Sequence, residues 1–110
     1  MNRDFHIFRP KQPIATASDL NEMSTEPLDQ AEQRRLVEDL VPEVRPLQYR
    51  DYTFGKASLL FLPCDRFLSI HAKGLASDIY PILERFRAAG LVVYDCEGKD
   101  LVAGTPPIRQ

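Results

Sequence analysis

Tryptophan is missing from this 110-residue chain, cysteine occurs twice and glycine five times. Cys64 and Cys96 are too few to staple a secreted scaffold with several disulfides, so a reducing compartment is expected. The five glycines, at positions 55, 74, 90, 98 and 104, never cluster. That excludes a glycine-rich phosphate cradle; Gly55-Lys56-Ala57-Ser58 has the end of a P-loop motif without its first glycine. No apolar run exceeds four residues, as in Leu59-Leu60-Phe61-Leu62, against the roughly 20 that span a bilayer. Met1 is followed by Asn2-Arg3-Asp4 and not by the apolar stretch of a secretory leader. A cytoplasmic protein with no membrane partner is expected.

An excess of one charge is lacking too: Lys and Arg number 14 against 16 Asp and Glu. The balance is local. From Thr16 to Glu43, eight acids face two bases, a net of -6. Such a stretch repels phosphate and attracts a basic partner, which disfavours nucleic acid as the ligand. With 44% hydrophobic residues, the chain has enough apolar surface for one core and is too short for two ordinary domains. A single domain over 1–110 is expected, with residues 104–110 as a loose tail.

The hydrophobic spacing defines the elements. Phe5 and Ile7 alternate with His6 and Phe8, a strand that Pro10 ends. Ser18, with Asp19 behind it, caps a short predicted helix carrying Leu20 and Met23 on one face. A longer helix is predicted from about Pro27 to Val41, its stripe made by Leu28, Ala31, Leu36, Val37, Leu40 and Val41. From Leu47 to Ala72 the period becomes two, with a turn at Gly55-Lys56 and a break at Pro63-Cys64-Asp65. Three antiparallel strands follow from connections this short. Ser77-Asp78 is the predicted cap of the clearest helix, with Ile79, Ile82, Leu83, Phe86 and Ala89 inward and Gly90 as its left-handed stop. Leu91 to Tyr94 is a strand, Asp95 to Lys99 a turn, and Leu101-Val102 a short return strand. The order β-α-α-β-β-β-α-β(-β) predicts an α+β two-layer sandwich: a mainly antiparallel sheet of four to six strands under two or three helices.

Chemistry is sparse. Cys64, Cys96, His6 and His71 could fill a tetrahedral zinc site in number, but no two have ligand spacing, and no cofactor or metal is expected. Asp65 beside Cys64, and Asp95 and Glu97 around Cys96, oppose thiolate formation. What remains is surface. Tyr49, Arg50 and Tyr52 crowd aromatic rings beside a guanidinium, a composition enriched at protein interfaces. Glu32 and Asp39 stand on the polar side of the acidic helix.

Ser77-Asp78-Ile79 through Gly90-Leu91-Val92-Val93-Tyr94-Asp95 and Gly98-Lys99 resembles the end of small, mostly uncharacterised bacterial proteins. Some of these are similar to immunity proteins encoded beside secreted toxins. The resemblance implies a small bacterial binding protein and carries over no functional residue. The expected function is thus a non-catalytic module binding a basic protein through Glu32 and Asp39 or through Tyr49, Arg50 and Tyr52, with homo-oligomerisation compatible. Two alternatives compete: a small enzyme with its site at the Cys64/His71 hairpin, and a sheet face that binds nucleic acid.

Overall fold

A computed structural model of the chain describes residues 1–43, 52–54 (backbone only) and 57–102. Strand β1 (Asn2–Pro10) leads into a 3-10 turn at Ala17–Asp19 and a two-residue strand β2 (Thr25–Glu26). Helix α1 (Gln30–Leu40), strands β3 (Tyr52–Phe54), β4 (Ala57–Pro63) and β5 (Leu68–Lys73), helix α2 (Ala76–Ala88), and strands β6 (Val92–Asp95) and β7 (Asp100–Leu101) follow. Six strands form one path, β3-β4-β5-β1-β6-β7, with β2 paired to the end of β1. Every pairing in it is antiparallel. The fold is α+β with its helices against one side of the sheet, as the patterning predicts.

Alternation decides which side is covered. Phe5 and Ile7 of β1, Leu59 and Phe61 of β4, Leu68, Ile70 and Ala72 of β5, and Val93 of β6 are all buried in one cluster. Helix α1 lies over β4 and adds Val37; α2 lies over β6 and adds Ile79, Ile82, Leu83 and Phe86. After α2 the Leu91 N–H bonds the Phe86 carbonyl and the Gly90 N–H bonds the Arg87 carbonyl. That double closure requires the left-handed φ of 90° at Gly90, a conformation glycine adopts without a Cβ penalty.

Several boundaries differ from the sequence reading. The predicted helix at Ser18 is only a 3-10 turn, flanked by Thr16. The Asp19 carboxylate accepts from the Ala15 and Thr16 N–H groups, and Asn21 Oδ1 accepts from those of Met23 and Ser24. These side chains offer the backbone an alternative to helix, and Met23, 83% exposed, gives it no apolar face to bury. Helix α1 starts at Gln30 behind Asp29, whose carboxylate accepts from the Glu32 N–H while Glu32 reaches back to the Asp29 N–H. Ala31 is exposed on it. Helix α2 starts one turn early, after Leu75, so Asp78 lies in its first turn and Ser77 is no cap. The return strand is Asp100–Leu101. The strand start at Leu47, the Gly55-Lys56 turn and the tail at 104–110 lie outside the described residues.

Two polar clamps hold the fold, one joining helix to sheet and one joining strands within the sheet. Gln33, fully buried on α1, donates from Nε2 to the carbonyls of Leu28 and Cys64, both at 2.7 Å. Its Oε1 accepts from the Cys64 N–H at 3.0 Å. The amide thereby pairs with the chain end of β4 as a neighbouring strand would. At the other side of the molecule, buried Asp95 accepts from Arg3 at 2.5 Å through Oδ2. Its Oδ1 accepts from the N–H groups of Glu97 and Gly98, shaping the β6–β7 turn.

Candidate functional site: the helix-free face of the sheet

The residues that alternate with the core point to the opposite face. Register places Leu62, Ser69, His6 and Tyr94 in one row across β4, β5, β1 and β6. The next row toward β1's start holds Leu60, His71 and Asp4. On the other side, Phe8 opposes Val92, and Phe67 stands just ahead of β5.

Aromatic rings gather there. The His6 ring lies 4.3 Å from that of Phe67, 6.2 Å from Phe8 and 6.4 Å from Tyr94, and Phe8 is 5.1 Å from Phe67. All four are only partly buried. Between these rings and the 3-10 turn runs an open cleft of about 430 Å³, lined by His6, Phe8, Ala17, Ser18, Leu20 and Tyr94. Among the described residues, neither the His6 ring nitrogens nor the Tyr94 hydroxyl has a hydrogen-bond partner.

Burial among these rings lowers the pKa of His6, with Asp4 opposing the shift. The folded protein therefore binds this proton less readily than the unfolded chain, whose imidazole titrates near ~6.5. Stability is then fully present above that value and falls as pH drops through it toward the folded pKa. Denaturant midpoints between about pH 7.5 and 5 should decline in the wild type, and His6→Phe should flatten the decline. An unchanged slope in His6→Phe would assign the dependence to other groups.

The cysteines and His71 do not assemble a reactive centre. Burial raises the Cys64 thiol pKa, with Asp65 adding to it. Burial also raises that of Cys96, with help from Asp4 and Asp95. Cys64 lies beyond the Pro63–Leu68 pair and His71 pairs with Leu60, three steps down the ladder, or about 10 Å at ~3.3 Å per residue. His71 Nδ1 instead meets Asp4 Oδ1 at 2.7 Å. A carboxylate orients an imidazole in this way in general bases, but among the described residues no hydroxyl or thiol bonds His71. No group of three His, Cys, Asp or Glu side chains suited to a metal ion is present among them either. No helix among them is long and apolar enough to cross a membrane.

The acidic stretch is partly neutralised within the molecule. Glu32 pairs with Arg9 at 2.6 Å, and that hydrogen bond, with the Asp29 N–H, holds its carboxyl below the usual range. Arg85 grips Glu43 through both terminal nitrogens at 3.0 and 3.1 Å and lowers its pKa likewise. Asp39 is exposed and has no ion pair among the described residues. Tyr49 and Arg50 lie outside those residues, and Tyr52 is placed in edge strand β3 by its backbone alone. The aromatic site the structure displays is thus a different one. Phe67 was its hidden member: two residues before Ser69 and four before His71, it shares their face by parity alone. Compared with protein-family models, curated proteins and solved structures, the chain matches none.

Proposed function

We propose that the chain is a non-catalytic protein-binding module that docks its partner on the helix-free face of the sheet. The observation that carries this reading is the gathering of His6, Phe8, Phe67 and Tyr94, partly buried, on a face that no helix among the described residues covers. Part-buried aromatic rings clustered on one sheet face are the composition enriched at interaction sites. The unactivated thiols and the separation of Cys64 from His71 support binding over catalysis. The acidic side of α1, with Asp39 at its exposed part, would steer a basic partner toward the molecule. In its sharpest form the protein is a cytoplasmic accessory or immunity-type protein that acts by occlusion.

Capture from the native cell tests the reading. The tagged wild type should retain a stoichiometric protein, and Phe67→Asp should release it while keeping a cooperative unfolding transition. Asp39→Lys should slow association, by up to about tenfold at low salt, with the difference vanishing as salt rises. Glu32→Lys is the poorer probe, since it breaks the Arg9 pair and the cap of α1. Nucleic acid as the retained species, or a partner indifferent to Phe67→Asp, would refute the proposal.

A further inference from the structure

We infer that the cleft between the rings and the 3-10 turn is an anchor pocket for one aromatic side chain, an indole first and a phenol second, presented by the partner on a basic segment. This rests on the helix-free face being the docking surface and adds the chemistry it selects.

Shape comes first. The cleft's volume of about 430 Å³ falls low in the range of roughly 300–1,000 Å³ typical of ligand pockets. Its walls are three rings, from His6, Phe8 and Tyr94, with Leu20 on the turn side. Ring walls favour a planar aromatic guest, because offset and edge-to-face contacts add to the gain from apolar burial. The mouth is open to solvent, which suits a side chain arriving on a protein surface.

Polar complementarity narrows the guest. The His6 imidazole and the Tyr94 hydroxyl border the cleft without partners among the described residues, whereas no fully buried polar side-chain atom there lacks one. A purely aliphatic guest would cover these two groups and leave them unsatisfied, a costly outcome. An indole N–H or a phenol O–H can donate to the unprotonated imidazole nitrogen, and a phenol can also accept from Tyr94. Burial, which holds His6 toward its neutral form, keeps that acceptor available.

Charge narrows it further. Asp4 is two residues from His6 on the same face and is close enough to act on its titration. Its carboxylate holds His71. On the turn side, exposed Asp19 stands between the lining residues Ser18 and Leu20, and exposed Glu22 follows two positions on. Cationic residues flanking the aromatic side chain are therefore favoured and anionic ones repelled.

The probe is the tripeptide acetyl-Lys-Trp-Lys-amide, titrated into the isotope-labelled full chain and followed by NMR. Saturable shifts should appear at His6, Phe8, Ser18 and Tyr94. Acetyl-Lys-Ala-Lys-amide should bind at least about tenfold more weakly for want of ring contacts, and acetyl-Glu-Trp-Glu-amide several-fold more weakly. Ser18 is exposed on the turn, so Ser18→Trp should plug the cleft and abolish the shifts; Ala17→Phe is the second plug should the first unfold. No saturable shift by about 10 mM, or plugged and folded variants that bind like wild type, would overturn the pocket. If the peptides fail while Phe67→Asp still releases the captured protein, the docking face stands and only the pocket falls. A captured protein indifferent to Phe67→Asp removes the docking reading and the pocket's role with it.

Discussion

Phe86→Ala should lower the unfolding free energy by about 3–5 kcal/mol in a denaturant titration, the range for truncating a fully buried phenylalanine. Phe86 has no exposed surface and belongs to the cluster that α2 shares with the sheet. It also ends the helix: its carbonyl receives the Leu91 N–H, and Leu91, 8% exposed, continues into β6. Removing the ring leaves a cavity where a helix terminus and the interior strand β6 are joined, so little collapse can relieve the loss. Met23→Ala, at the most exposed large apolar residue among those described, should change stability by less than about 0.5 kcal/mol and serves as the control. A loss below ~1 kcal/mol for Phe86→Ala would mean that α2 buries a different face.

Gln33→Leu keeps the bulk of the side chain and removes three hydrogen bonds, leaving the buried Leu28 carbonyl and the Cys64 peptide without this partner. A cost of about 2–4 kcal/mol is expected. Gln33→Glu is the sharper test, because it replaces the Nε2 donors with an oxygen that faces two carbonyls. Only the protonated acid can donate, and to one of them, so its folded pKa must rise above the unfolded value near ~4.3. The stability of this variant is therefore greatest at low pH and is lost as pH rises through the folded pKa. Relative to wild type, Gln33→Glu should regain stability on acidification from about pH 7 to 5, opposite in sign to the His6 effect. A pH-independent deficit, read from denaturant midpoints, would show that the carboxylate escapes to water.

What periodicity encodes was readable before the structure. The alternation of Phe5 and Ile7 with His6 and Phe8 separates core from open face, and the four buried residues of α2 repeat at helical spacing up to Gly90. Polar groups whose partners are distant in sequence were not readable. Gln33 sits among Arg34, Arg35 and Glu32 and has the composition of a solvated face; two of its three buried hydrogen bonds go to Cys64, 31 residues on. Arg3 and Asp95 are 92 residues apart. The same limit hid the aromatic site. His6 and Phe67 meet because β1 lies beside β5, and no local pattern reports that neighbour. Sequence proximity instead favours Tyr49 through Tyr52, where the aromatics are close along the chain. The short helix at Ser18 failed for a local reason, since Asp19 and Asn21 had already turned the backbone with their side chains.

The central position of β1 has a kinetic consequence. It precedes the other described strands in sequence, yet Phe5 pairs with Ile70 on one side and with Asp95 on the other. Hairpin β4–β5 can close locally, whereas β1, beyond its short pairing with β2, must wait for β5 and β6. Contacts this distant in sequence make the search for the native arrangement slow. Until β6 arrives, the strand carrying Phe5, Ile7 and Phe8 has an unpaired edge, the kind of surface on which nascent chains associate wrongly. The ring cluster around His6, drawn from β1, β6 and the residue ahead of β5, is complete only once both β5 and β6 have joined β1.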